Sequence, residues 1–406
     1  MEMKKMVCIE CPKSCVINVG IDNKKIVSVK DNECPKGEKY ARQEIENPKR
    51  IITSTVLAEG LDYKMIPVKT DRPVPKSKIL DVMQEIKKVR VKDKPVSAGD
   101  LIVRNILGLE ANLVATRSAS YPEIIQKYLN YYSLYFKNVK HVFRTFKSCG
   151  EDISYHFFIP DNYKAAIVLV HGYLEHVGLS KNLIGNLIGQ KYAVAAYDNR
   201  GHGLSGGTRA GVENFNQYNE VLKDFLVLAQ NNLHGPFHLI SHSMGGAVSI
   251  NYLLNREKDI FDKILLIAPL VHPVAWIQTN IIYFVLKNFV KSVRRNLADG
   301  TSDKAFVKFF KNDPLVPGRI PVSWVKALLE WNKNMLARNP LARKIKVVQG
   351  TKDHVVDWKY NLEFIKSKFT AVEIELIENA DHNLCNETEP FRKMTLAIIN
   401  SYFAPK

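Results

Sequence analysis

No stretch of this 406-residue sequence approaches the roughly 20 apolar residues that a membrane-spanning helix needs. Its opening, Met1-Glu2-Met3-Lys4-Lys5-Met6-Val7, is charged and lacks the apolar run of a secretory signal, so a cytoplasmic location is expected. Internal repeats and low-complexity tracts are absent, which argues against a solenoid or a disordered tail. A large positive charge stands without any nucleic-acid motif. Lys and Arg number 58 against 41 Asp and Glu, a net +17, and lysine is spread along the whole chain. A solvated basic surface is the first reading, with peripheral attraction to an anionic membrane second and no nucleic-acid partner expected. Cysteine is scarce as well, at six, yet Cys8, Cys11, Cys15 and Cys34 crowd the N-terminus while Cys149 and Cys385 are isolated. In a cytosolic chain such a cluster reads as metal ligands rather than disulfides.

The length exceeds a usual single domain, so more than one is expected. Residues 1–117 form a block rich in Val, Ile, Lys and Pro and short of aromatics. In it, Cys15–Val19 and Lys25–Val29 read as strands joined by a turn over Ile21–Lys24, Ile79–Lys88 has helical spacing, and Asp100–Val103 reads as a strand. Residues 118–139 are expected to be a connector, with an aromatic-rich helical pattern over Tyr121–Phe136. From residue 140 to 406, short apolar strands alternate with helical segments, the pattern of a mostly parallel α/β sheet. Its clear strands are Ala165–Val170, Tyr192–Tyr197, Phe237–Ile240, Lys263–Ile267 and Lys344–Val348; continuous apolar runs of this kind suit strands buried on both faces.

Ser241-His242-Ser243-Met244-Gly245-Gly246 follows one of these strands and precedes a helical run. A strand-to-helix elbow of this type holds a serine in strained backbone with its hydroxyl exposed. Small residues are needed two before and two after it, where neighbouring backbone passes close; Gly245 meets this, and Ser241 stands where glycine is usual. Upstream, the strand ending at Val170 runs into His171-Gly172-Tyr173-Leu174-Glu175-His176. A tight turn there can aim the Tyr173 N–H, together with that of Met244, at a developing oxyanion, each such donor being worth about 3 kcal/mol. A serine needs a base and an orienting acid. Asp353 falls shortly beyond the strand ending near Val348, while Asp357 falls in a following helix. His382 comes just past Val372–Ile377, an alternating, edge-like strand. The chain order Ser, Asp, His is the one used by α/β-hydrolases, so Ser243, Asp353 and His382 are the expected catalytic residues. Asp198, Arg200 and His202, in a glycine-rich loop, are expected to be structural.

These residues resemble the monoglyceride lipase and lysophospholipase branch of the α/β-hydrolases over about Val142 to Phe403. The likeness is carried by His171-Gly172, Glu175-His176, Asp198, Arg200-Gly201-His202-Gly203, Ser205, His242-Ser243-Met244-Gly245-Gly246, Asn312-Asp313-Pro314-Leu315, Gly350, Asp353 and His382. It implies an α/β-hydrolase fold with a helical cap, and cleavage of carboxylic esters, commonly monoacylglycerols or lysophospholipids, without metal or organic cofactor. The cap is expected over about 270–340. Within it, Trp276–Leu297 reads as a helical, apolar-aromatic element interleaved with Lys287, Lys291, Arg294 and Arg295. Two readings stand for it, a lipid-facing basic amphipath and a helix simply packed on the core.

Cys8, Cys11, Cys15 and Cys34 make a four-thiolate set that spacing alone leaves open between tetrahedral Zn²⁺ and an iron–sulfur cluster. Cys11-Pro12-Lys13-Ser14-Cys15 followed by Cys34-Pro35-Lys36-Gly37 resembles the small [4Fe–4S] module of molybdopterin oxidoreductases, with a shorter final spacing, which favours the cluster. Residues 1 to about 117 also resemble uncharacterised bacterial CxxC proteins, through Cys34-Pro35-Lys36-Gly37, Pro48-Lys49-Arg50, Ile66-Pro67-Val68-Lys69-Thr70 and Gly99-Asp100. That resemblance implies a small α+β redox accessory module and a flavin-dependent oxidoreductase as partner. It leaves an alternative for the whole chain, a redox accessory protein whose hydrolase domain only binds lipid or a partner.

Overall fold

A computed structural model of the chain describes residues 2–23, 25–255, 259–295 and 300–404. Lys24, in the expected hairpin turn, lies outside them. The chain divides into two compact units, Met1–Glu123 and Ile124–Lys406. The expected connector is therefore no separate piece: its helix is shorter, Glu123–Tyr131, and belongs with the second unit. Its aromatic rings account for this, since Tyr128 and Tyr132 pack on one another at 4.8 Å and Tyr128 lies 5.2 Å from Phe143 of the hydrolase sheet.

In the first unit, strands Glu2–Val7, Val16–Asp22 and Lys25–Lys30 form an antiparallel meander. Its Ile17, Val19 and Ile26 close a small core with Cys8 and with Ala41 of the helix Pro35–Glu46. A five-stranded sheet follows, and the helix Ile79–Lys88 packs on it with Val82 and Ile86 buried, as their helical spacing predicts.

The second unit is built on eight strands: β1 (Val139–Ser148), β2 (Glu151–Pro160), β3 (Ala165–Val170), β4 (Tyr192–Tyr197), β5 (Phe237–His242), β6 (Phe261–Ile267), β7 (Leu341–Gly350) and β8 (Phe369–Ile377). Their order is β1-β2-β4-β3-β5-β6-β7-β8, with β2 antiparallel to both its neighbours, β1 and β4, and the remaining pairs parallel. Every residue of β3 and β4 is buried, because helices cover both faces of the sheet. Chain order reverses between β3 and β4, so the loops after β3, β5, β7 and β8 gather at one end of the sheet. That end is where an open α/β sheet places its chemistry.

Between β6 and β7 lies the cap, with helices α1 (Trp276–Leu286), α2 (Lys304–Asn312) and α3 (Val322–Leu336). The expected helix over Trp276–Leu297 is corrected here, and Leu297 lies outside the described residues. After Leu286 the sequence turns to β-branched Val290 and Val293, and Ser292–Arg294 pairs antiparallel with Arg319–Pro321 instead of continuing the helix. Among the described residues no helix is long and apolar enough to cross a membrane.

Candidate active site

Ser243 sits between β5 and the helix Met244–Leu254 with φ 50° and ψ −117°, a conformation that costs a non-glycine residue about 1–3 kcal/mol. Backbone hydrogen bonds hold it there: its N–H donates to Ile267 O (3.0 Å), and its carbonyl accepts from Leu270 N–H (3.0 Å) and Gly246 N–H (2.8 Å). The sequence around it follows from how tightly the elbow is packed. A Cβ on Gly245 would lie 2.2 Å from Val170 O, and one on Gly246 would lie 2.8 Å from Pro269 Cβ. At Ser241 a side chain does fit. Its Oγ is buried at 2.5 Å from Ser249 Oγ, so the hydroxyl that glycine would lack finds a partner.

His382 Nε2 lies 2.9 Å from Ser243 Oγ, and His382 Nδ1 lies 2.7 Å from Asp353 Oδ2. The three residues that sequence order singles out thus come together, from the loops after β5, β7 and β8. Asp353 also accepts from Gln349 Nε2 (2.9 Å) and from the N–H groups of Val355 (2.9 Å) and Val356 (3.0 Å). Burial pushes its carboxyl up, but the charge and hydrogen bond of His382, with the Val356 N–H and the Gln349 amide, outweigh this and hold it at about 2. It stays ionised. Asp357 is instead the N-cap of the helix Trp358–Lys368, accepting from Tyr360 N–H.

The Tyr173 and Met244 backbone N–H groups donate to no other protein atom among the described residues, which leaves both for a ligand. The Tyr173 side chain is fixed elsewhere, its Oη donating to Ala210 O (2.8 Å) and its ring stacked 3.7 Å from that of Trp324. Asp198 has the structural place expected of it. Its carboxylate accepts from Val177 N–H and Leu204 N–H, and its carbonyl accepts from Ser205 Oγ. Arg200 pairs with Glu151 at 3.2 Å.

Sequence reasoning gave no role to Glu175, His242, Gln349 and Asn383, which nonetheless border the site. His242 Nδ1 lies 2.9 Å from Glu175 Oε2. Glu175 and His242 signal themselves in the sequence only through the Glu175-His176 and His242-Ser243 motifs, and Gln349 and Asn383 carry no such signal. A cavity of about 580 Å³ opens onto Ser243 and His382, with apolar walls that include Leu270, Ile282, Tyr283, Phe306 and Phe310.

In the first unit, Cys8 N–H donates to Cys15 O (2.8 Å), and Cys34 is the N-cap of the helix Pro35–Glu46. Only Cys8 is buried. Among the described residues no three His, Cys, Asp or Glu side chains converge as a metal site would require. As they stand, Cys8, Cys11, Cys15 and Cys34 do not form a closed ligand set, and no chemical step is drawn through them.

Residues 161–389 match the family described as serine aminopeptidase, S33, and residues 35–117 match a protein family of unknown function, DUF1667. The chain is 29% identical over 252 residues to the monoglyceride lipase of Mus musculus, covering 59% of this chain and 82% of that one. It is 29% identical over 216 residues to the monoacylglycerol lipase of Mycolicibacterium smegmatis (51% and 77%). A soluble variant of monoglyceride lipase from Saccharomyces cerevisiae, solved with a substrate analog, superposes with TM-score 0.56 at 20% identity, over 64% of this chain and 93% of that one. At that identity the superposition speaks for the fold alone.

Proposed function

This chain belongs to the serine aminopeptidase S33 family and is a carboxylic ester hydrolase; we propose that its substrate is a monoacylglycerol, cleaved by Ser243 with His382 and Asp353. The observation that carries the mechanism is the continuous relay Ser243 Oγ, His382, Asp353 at 2.9 and 2.7 Å, opening onto an apolar cavity. His382 takes the Ser243 proton as the hydroxyl attacks the ester carbonyl, and Asp353 holds the ring tautomer and balances the imidazolium. The N–H groups of Tyr173 and Met244 receive the oxyanion. His382 then returns the proton to the departing glycerol oxygen. Water, deprotonated by the same imidazole, releases the fatty acid from Ser243.

The apolar walls suit an acyl chain, and the groups beside the serine suit an uncharged head. A phosphate head would meet the Glu175 carboxylate there. This favours monoacylglycerol over lysophospholipid. The alternative, a domain that binds lipid without chemistry, leaves unexplained why the fold keeps Ser243 strained beside His382. The cap supports delivery from a lipid surface: Ile277, Phe284 and Phe289 are exposed, with Lys287 and Lys291 alongside.

A fluorophosphonate probe labels Ser243, and Ser243→Ala abolishes both labelling and hydrolysis of monooleoylglycerol. Turnover persisting in that variant overturns the assignment. A panel of esters varied in acyl length and head group tests the substrate, and a preference for lysophospholipid overturns that part.

A further inference from the structure

Glu175 comes from the turn after β3, and its carboxylate is shared among three loops. Oε2 accepts from Gly172 N–H (2.8 Å) in the turn that carries Tyr173, and from His242 Nδ1 (2.9 Å), the residue before the nucleophile. Oε1 accepts from Asn383 Nδ2 (3.0 Å), the residue after His382. The second nitrogen of His242, Nε2, faces the carbonyl of His382 itself at 3.4 Å. A carboxylate and a carbonyl only accept, so both nitrogens of His242 face acceptors, a setting that favours the protonated ring. Space for the arrangement is kept by Gly172, where a Cβ would stand 2.9 Å from Glu175 Oε2 and 3.0 Å from His242 Nδ1.

We propose that Glu175 is a positioning residue that ties the oxyanion turn, the nucleophile elbow and the histidine loop into one rigid frame, with His242 as its bridge. Its role rests on the ester-hydrolase reading and is independent of which ester is cleaved. All three of its hydrogen bonds run within the protein, so it sets where Tyr173, Ser243 and His382 stand relative to one another. Small displacements among such groups lower turnover steeply while leaving substrate binding in the cavity intact.

The test compares wild type with Glu175→Gln and Asn383→Ala on p-nitrophenyl acetate, which has no hydroxylated head, and on monooleoylglycerol. Glu175→Gln is expected to lower kcat by about ten- to a hundredfold on both esters, with KM within about twofold. The rate of fluorophosphonate labelling at Ser243 should fall in parallel. A loss confined to KM for monooleoylglycerol makes Glu175 a head-group binder and overturns the proposal, as does an unchanged kcat. Should Glu175→Gln fail to fold, Asn383→Ala removes one tie and leaves the carboxylate. It is expected to lower kcat severalfold on both esters, and equal kcat overturns the frame. Wild-type turnover of the acetate without the monoacylglycerol would instead reject the substrate assignment and leave the frame standing.

Discussion

Ser243 carries its strain in the backbone, so the two smallest replacements should behave differently. Alanine keeps the Cβ and the strain, whereas glycine adopts φ 50° freely. Ser243→Gly is expected to be more stable than Ser243→Ala by about 1 kcal/mol in urea unfolding, although both are inactive. The Glu175–His242 pair gives a second prediction at this scale. Burial pushes the Glu175 carboxyl up, but His242 and the Gly172 N–H outweigh it and hold it at about 2, below its ordinary 4.5. Burial pushes His242 down, but Glu175 outweighs it and raises His242 above its ordinary 6.5. The depressed carboxyl contributes stability that is present above pH 4.5 and lost as pH falls toward 2; the raised imidazole contributes stability that is present below pH 6.5 and lost as pH rises through its folded value. The stability difference between wild type and Glu175→Gln should therefore peak between those two pH values. A difference that is flat with pH would contradict the pairing. Ser243, Asp353 and His382 were legible in the sequence because each ends a recognisable strand in the right order. Glu175 was not, because its importance lies in contacts between loops far apart in the chain.

Among elements, the cap shows both the reach of sequence patterns and their limit. The apolar spacing of Trp276–Leu286 was enough to predict a helix, but not where it stops. Its end depends on a partner strand, Arg319–Pro321, met only after folding. The helix and the turn after it divide their side chains between the cavity and the outside. Ile282 and Tyr283 line the cavity, while Ile277, Phe284 and Phe289 point outward, with Phe289 82% exposed. The outward group should act on lipid delivery rather than chemistry. Phe284→Glu with Phe289→Glu is expected to weaken sedimentation with vesicles of phosphatidylcholine and phosphatidylglycerol, and to slow monooleoylglycerol turnover on them. Turnover of p-nitrophenyl acetate in solution should stay unchanged. Undiminished vesicle binding would assign the patch another purpose.

For the whole molecule, division into two units was legible from the change in composition near Ser118, and the structure places it at Glu123. The N-terminal thiols were conspicuous in sequence because they are close in number along the chain, which does not oblige them to converge in space. If they hold a metal, the four must be brought closer together than they stand. Stoichiometric iron and sulfide in anaerobically purified full-length protein, lost in Cys8→Ser with Cys34→Ser, would show that the four thiols do converge around a cluster. Zinc without iron would make the site structural, and neither would leave four plain thiols. The junction between the units has a consequence of its own. Tyr132, just past the connector helix, donates to Asp313 Oδ1 (2.9 Å), whose other oxygen lies 3.1 Å from His176 Nε2, with both side chains of that pair fully buried. The folded unit begins at Ile124, ahead of the family match at 161–389. Tyr132 thus completes the hydrolase unit's own buried polar network, and Tyr132→Phe, which leaves Asp313 short of a donor, is expected to cost about 1–3 kcal/mol in urea unfolding.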